Sequence, residues 1–238
     1  MANRVTPGRR GSYGIDAPIA PAFLAGLVIL YIVLAIVTGE GKFWMSASLV
    51  LAFELYYLHS TFRGKFLVWA RLLDQLGLRG DERILDLGCG RGAVLMMAAQ
   101  HLTSGRAVGV DLWSKFDQSG NSSEATQRNA VAEGVADRVE LHTGNMTALP
   151  FEDNSFDVIV SNFAIHNISG RAGREKAISE AVRVLRPGGR LRIVDVRGTG
   201  QHAAQLAQLG MDDVARSGLA WWFTPARLVT ATKPQCVD

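Results

Sequence analysis

The chain has 238 residues, 48% of them apolar, with 25 Lys and Arg against 22 Asp and Glu. That length holds one full α/β domain plus an appendage, and the apolar fraction excludes a disordered chain. The net charge of +3 is spread without a basic block, which argues against nucleic acid as a partner.

Residues 1–16 read as an N-terminal tail with a basic start at Arg4, Arg9 and Arg10. From Ala17 to Gly39 no residue is charged, and Ile19–Val37 is almost entirely aliphatic. As a helix rising ~1.5 Å per residue, such a run spans the ~30 Å hydrocarbon core of a bilayer. Pro21 sits near the start, where a missing amide donor costs little. After a break at Thr38–Lys42, Phe43–Phe62 is apolar and aromatic, interrupted by Glu54 and His59. The pattern predicts a two-helix transmembrane hairpin over 17–60, with a strong first helix and a weaker second. The alternatives are a second segment lying at the interface, a hairpin buried in a soluble protein, and a secretory signal, for which the apolar run is long. Arg63, Lys65 and Arg71 follow the second helix, so both flanks carry positive charge. The positive-inside rule then puts the following domain on the cytoplasmic side. Glu54 is costly inside a bilayer and is read as lying near its interface.

Phe62, Phe66, Trp69, Leu73 and Leu76 fall at three- and four-residue steps, which predicts an amphipathic connecting helix over 61–80, ended by Gly77 and Gly80. From residue 81 strands and helices alternate. Strands are expected at Arg83–Gly88, Ala107–Leu112, Val139–Thr143, Phe156–Ser161, Arg190–Val196, Asp213–Ser217 and Arg227–Thr232. Helices are expected at Ala93–Leu102, Ser122–Glu133, Arg174–Leu185 and His202–Leu209. This alternation predicts an α/β, Rossmann-like, seven-stranded doubly wound sheet over 81–238. No helix separates the final two strands, so they are expected to pair antiparallel.

The chemistry starts at Asp86-Leu87-Gly88-Cys89-Gly90-Arg91-Gly92. Glycines directly after the first strand let the backbone approach a ligand at a helix N-terminus. Gly88, Gly90 and Ala93 also satisfy a loose dinucleotide fingerprint, which leaves a nucleotide-dependent oxidoreductase open at this point. Asp86, within the loop's reach, suits an amine-bearing ligand better than a pyrophosphate. Asp111, at the end of the second strand, is placed to accept hydrogen bonds from ribose hydroxyls. Cys89 and Cys236 are the chain's two cysteines, too few for a disulfide framework or a zinc site, so no metal is expected and a reducing compartment is favoured. Cys89 reads as a small buried side chain, not a nucleophile.

The motifs Ile84–Gly92, Gly109–Leu112, Gly144–Phe151, Ser155–Asn162 and Arg183–Leu191, taken in order, resemble a class I S-adenosylmethionine-dependent methyltransferase. They are similar to the branch containing the ubiquinone/menaquinone-biosynthesis C-methyltransferases. The resemblance implies S-adenosyl-L-methionine as cofactor and a last strand running antiparallel. It implies that Gly88 and Gly90 back the methionine part, with Asp86 near its amino group. Asp111 would hold the ribose, Leu112 and Met146 would flank the adenine, and Asn162 would face the methionine part or the methyl. Asn145 stands where the family commonly has Asp; its side-chain oxygen can still accept a bond from the adenine amino group.

His166, just past the fourth strand, is the candidate catalytic residue, a base for an acceptor that must lose a proton. The stretch Trp113–Ser123 is long for its place and reads as a lid or a tolerated insertion. Trp221, Trp222 and Phe223 read as an apolar wall or membrane-facing patch. The expected function is a membrane-anchored methyltransferase for a small hydrophobic or lipid-like acceptor. Its alternative from another class is a non-catalytic, membrane-tethered cofactor-binding or scaffold protein.

Overall fold

The computed structural model describes residues 9–218 and 226–235; Trp221, Trp222, Phe223 and Cys236 lie outside the described residues. Seven strands form one sheet: β1 (Arg83–Leu87), β2 (Arg106–Asp111), β3 (Val139–Thr143), β4 (Phe156–Asn162), β5 (Leu185–Asp195), β6 (Asp212–Gly218) and β7 (Arg227–Thr232). Their order is β3-β2-β1-β4-β5-β7-β6. The first five run parallel, and β7 is antiparallel to both β5 and β6. Strands covered on both faces need apolar side chains on both, and Ile84, Leu85, Val108, Val158 and Ile159 are fully buried.

Helices complete the two layers. On one face α3 (Lys65–Asp74) and α4 (Ala93–Gln100) pack Trp69, Leu73, Leu95 and Met96 into one core, with α5 (Ser123–Glu133) beside them. On the other, α6 (Arg171–Val184) and α7 (Thr199–Gln208) contribute Ile178, Val184 and Leu206 to a second.

The N-terminal helices α1 (Ile19–Thr38) and α2 (Gly41–His59) pack as an antiparallel pair about a turn at Gly39, whose φ of 71° closes the C-terminus of α1. Of the described helices, α1 alone is long and apolar enough to cross a membrane. A second span over Phe43–Phe62 does not meet that test, because Lys42, Ser46, Ser48, Glu54 and His59 dilute its apolar run. Much of the pair's apolar surface is uncovered, with Phe23, Ile29 and Ile36 on α1 and Met45, Leu49 and Leu55 on α2 all exposed.

Helix α2 does not stop at the domain. It passes through a π-helical turn, Ser60–Gly64, directly into α3. Within the segment 61–80, expected as an amphipathic connecting helix, lie most of this π-turn and all of α3. Trp69 roots it: the ring is fully buried, and its Nε1 donates to Asn162 Oδ1 at 2.8 Å. Truncating such a side chain costs ~3–5 kcal/mol.

Residues 9–17 form a strap across the domain. Ser12 exchanges bonds with the Asn129 side chain, and the Tyr13 hydroxyl donates to Glu133 at 2.8 Å. Ile15 pairs with Ser119, and Asp16 forms a β-bridge with Gln118.

Candidate functional site

A cavity of about 540 Å³ opens at the carboxyl ends of the parallel strands. It lies where the strand order turns from β1 to β4, the crevice that open α/β sheets use for ligands. Its floor comes from the loops after β1 (Gly88), β2 (Asp111, Leu112), β3 (Asn145, Met146) and β4 (Asn162, Phe163). The opposite wall comes from the base of the helical pair (Tyr57, Ser60, Thr61, Lys65) and from the strap (Asp16, Ala17). The 114–118 part of the long loop covers the remaining side.

The glycine loop is shaped by steric need. Gly88 has φ +71°, and a Cβ there would collide with the Ala164 side chain. Gly90 has φ +52°, and a Cβ there would lie 2.5 Å from Gln118 Oε1, which accepts the Arg91 N–H at 2.6 Å. The long loop is thus closed onto the glycine loop. Its Gln118 Nε2 in turn donates to Asp16 on the strap at 3.0 Å.

Asp111 is the hub of this region. One carboxylate oxygen accepts from Gly90 N at 2.8 Å, and the other from Trp113 N at 2.6 Å and Asn121 Nδ2 at 3.2 Å. Burial raises its pKa, against the pull of those three donors. Trp113 and Phe163, directly after β2 and β4, hold positive φ of 60° and 55°, an uncommon conformation for bulky residues that marks both loop corners as over-determined.

Asp86 and Gly90 do not reach the cavity wall. Asp86 is 1% exposed behind the loop, and its Oδ2 has no hydrogen-bond partner. Burial, with the Asp111 charge beside it, pushes its pKa up to about 8. The folded protein therefore keeps a proton that the unfolded chain gives up near the ordinary value of 3.8. Stability contributed by this group is present at low pH and is lost as pH rises from about 4 to about 8. Asp86→Asn is expected to remove that loss, so its melting temperature in cofactor-free buffer should gain on the parent steadily over this range. Parallel melting curves for the two proteins would contradict it.

Asn145 lines the cavity, but its Oδ1 already accepts the Thr147 N–H at 2.9 Å, a local turn that ties up one lone pair of the expected adenine acceptor. Asn162 is pinned through its oxygen by Trp69, which leaves its NH₂ as the group offered to a ligand. Cys89 is buried, and burial with the Asp86 and Asp111 charges holds its thiol protonated.

His166 lines the far end of the cavity. Its Nδ1 stands 2.6 Å from Asp195 Oδ1, inside ion-pair distance but off the hydrogen-bond angle. Asp195 is fully buried at the end of β5, and its carboxylate also accepts from His166 N at 3.1 Å and Val196 N at 2.7 Å. Sequence reading missed Asp195, although an acid ending a core strand next to the ligand edge was there to be found. It also missed the cavity's opposite wall. There Lys65, 2% exposed, pairs with Asp16 at 2.8 and 3.0 Å, and the Tyr57 hydroxyl donates to Asp16 O.

The donor set fits an adenosine-type cofactor with an amino-acid tail. A buried carboxylate hub at the end of β2 supplies the acceptor such a molecule needs, over a glycine floor that leaves room for its close approach. Comparison with known proteins agrees. Residues 85–193 match the family described as "Methyltransferase domain". The ubiquinone/menaquinone biosynthesis C-methyltransferase UbiE of Roseobacter denitrificans is 34% identical over 124 residues, covering 52% of this chain and 46% of that protein. The methyltransferase GfsG of Streptomyces halstedii is 34% identical over 170 residues, covering 71% of this chain and 52% of its own. The chain spans about half the length of the curated relatives it matches. Among solved structures, a SAM-dependent methyltransferase from Aquifex aeolicus superposes with a TM-score of 0.57 at 21% identity, over 69% of this chain and 88% of that one. At that identity the likeness speaks for the fold.

Proposed function

We propose that this chain, whose residues 85–193 match a methyltransferase domain, uses S-adenosylmethionine to methylate a small hydrophobic, quinone- or lipid-like acceptor at a membrane surface. One observation carries this reading. The wall of the cavity opposite the glycine floor is the base of an exposed apolar helical pair, so the acceptor site lies at the foot of that apolar surface.

In this reading α1 inserts, α2 follows it or lies at the interface, and the domain faces the cytoplasm. Asp111 takes the ribose hydroxyls; Leu112 and Met146 flank the base; Asn145 meets its edge. Gly88 and the Asn162 NH₂ meet the amino-acid end, with Gly90 and Asp86 behind them. When bound, the cofactor supplies a methyl made electrophilic by its sulfonium, open to in-line displacement. The chain's work is then positioning and exclusion of water. The strap and the long loop close one side, and Ser60, Thr61 and Phe163 hold the acceptor against it. His166, oriented by Asp195, accepts the proton that a phenol, enol or similar carbon acid loses as it becomes the nucleophile.

The test is a transfer assay on the full chain in liposomes, with labelled methyl donor and extracted membrane quinones and lipids as acceptors. Label is expected in the organic phase; label that never leaves the donor with any hydrophobic acceptor sinks the proposal. Anchoring is tested separately by the pair Ile29→Lys and Val33→Lys, both on exposed faces of α1. Each costs ~2.5–3.5 kcal/mol at a bilayer centre. The double variant is expected in the soluble fraction after alkaline extraction, where the parent stays with membranes. A parent that washes off as readily would remove the anchor.

A further inference from the structure

Beside the main cavity, and sharing His166 with it, lies a second recess of about 280 Å³ lined by Arg174, Arg197, Gly198 and Gln201. Arg174 sits in the first turn of α6 and spends one Nη1 bond, 2.9 Å, on Ile168 O. Arg197 makes no hydrogen bond or ion pair with any described residue. Gly198 is the N-cap of the ten-residue helix α7 and offers no side-chain cap, so the first-turn N–H groups end at the recess uncontested. Behind Gly198 is His202, 2% exposed, with neither ring nitrogen hydrogen-bonded. Its Nε2 lies 3.1 Å from where a Gly198 Cβ would stand, so the imidazole points at the recess wall.

The charges here do not cancel. Asp195 is the acid that acts on His202, and its oxygens are already engaged with His166 and Val196. Two guanidinium groups, a helix N-terminus and a buried unpartnered imidazole therefore converge without an acidic side chain of their own. Such a set is built for an anion, and the planar forks of arginine suit phosphate or carboxylate oxygens. The recess also adjoins the acceptor site. Val196, next to Arg197, and Ile168, which Arg174 holds, both line the main cavity.

We propose that this recess seats an anionic group, phosphate or carboxylate, carried by the methyl acceptor, so that the acceptor is an anionic amphiphile whose apolar body lies in the main cavity. This rests on the methyltransferase reading above and narrows its substrate class.

The test is calorimetric titration of the full chain in neutral detergent with hexyl phosphate, hexanol and inorganic phosphate, alongside S-adenosylmethionine. Hexyl phosphate is expected to bind at least about tenfold tighter than either of the others, the size of one charge-assisted contact. Arg197→Glu, at an exposed position that no fold contact needs, is expected to abolish that preference and leave hexanol and S-adenosylmethionine affinities unchanged. Arg174→Gln is expected to weaken it. Equal affinity for hexyl phosphate and hexanol, or a preference that survives Arg197→Glu, overturns the proposal. Inorganic phosphate binding as tightly as hexyl phosphate also overturns it, since the recess would then serve a free anion. Failure of S-adenosylmethionine to bind fells the methyltransferase reading instead, and the two failures are read from separate titrations.

Discussion

His166→Ala is expected to lower kcat for methyl transfer by about two to three decades, the range lost with a positioned general base. Cofactor affinity should stay within about twofold, because the lost contribution is a proton acceptor for the transition state and not a binding contact. Asp195→Asn separates orientation from proton transfer. The carboxylate 2.6 Å from Nδ1 holds the ring in place. The amide keeps the shape but removes the charge, so kcat should fall by about tenfold or more, with KM little changed. A structural role for Asp195 alone would lower stability and leave kcat near the parent value; Asp195→Glu should restore part of the rate. If His166→Ala retains full kcat with every acceptor that is turned over, His166 is a wall residue and the acceptor needs no base.

Asp111→Ala is expected to weaken S-adenosylmethionine binding by about a hundredfold, ~2.7 kcal/mol. Two hydrogen bonds from ribose hydroxyls to a carboxylate, at ~1.5–3 kcal/mol each, support a loss of that size. The same carboxylate holds Gly90 N, Trp113 N and Asn121, so its removal also frees the glycine loop from the long loop that closes on it. Asp111→Asn keeps one acceptor oxygen and should recover part of the affinity. Calorimetry settles both, and an unchanged dissociation constant for Asp111→Ala would take Asp111 out of the cofactor site.

Much of the fold was legible because its signals are local. Short β-branched runs between turn residues marked the strands, and Val139–Thr143 and Arg227–Thr232 fall on β3 and β7 to the residue. The missing helix before the last strand announced the antiparallel pair, since a short connection cannot return a strand parallel. The site was legible in part for the same reason. Gly88, Asp111, Leu112, Asn145, Met146, Asn162 and His166 follow strand ends, and a parallel sheet gathers its strand ends on one edge. Asp86, still within β1, and Gly90, in the loop that follows, stay off the cavity wall, because the path the backbone takes there depends on packing beyond the local sequence.

The sequence by itself determined the apolar α1, the alternation that makes the doubly wound sheet, and the glycine loop that opens its ligand edge. Each follows from periodicity or from backbone freedom within a few residues. Only the tertiary structure decided that residues 9–17 are strapped across the domain and that α2 runs through a π-turn into α3. It alone brought Asp195 to His166, Lys65 to Asp16, and Arg174 and Arg197 to one recess. These pairings join residues far apart in the chain, and no local pattern encodes a partner that only packing supplies. The apolar content of the chain thus divides between two buried layers and a helical pair whose outer surface the domain leaves uncovered.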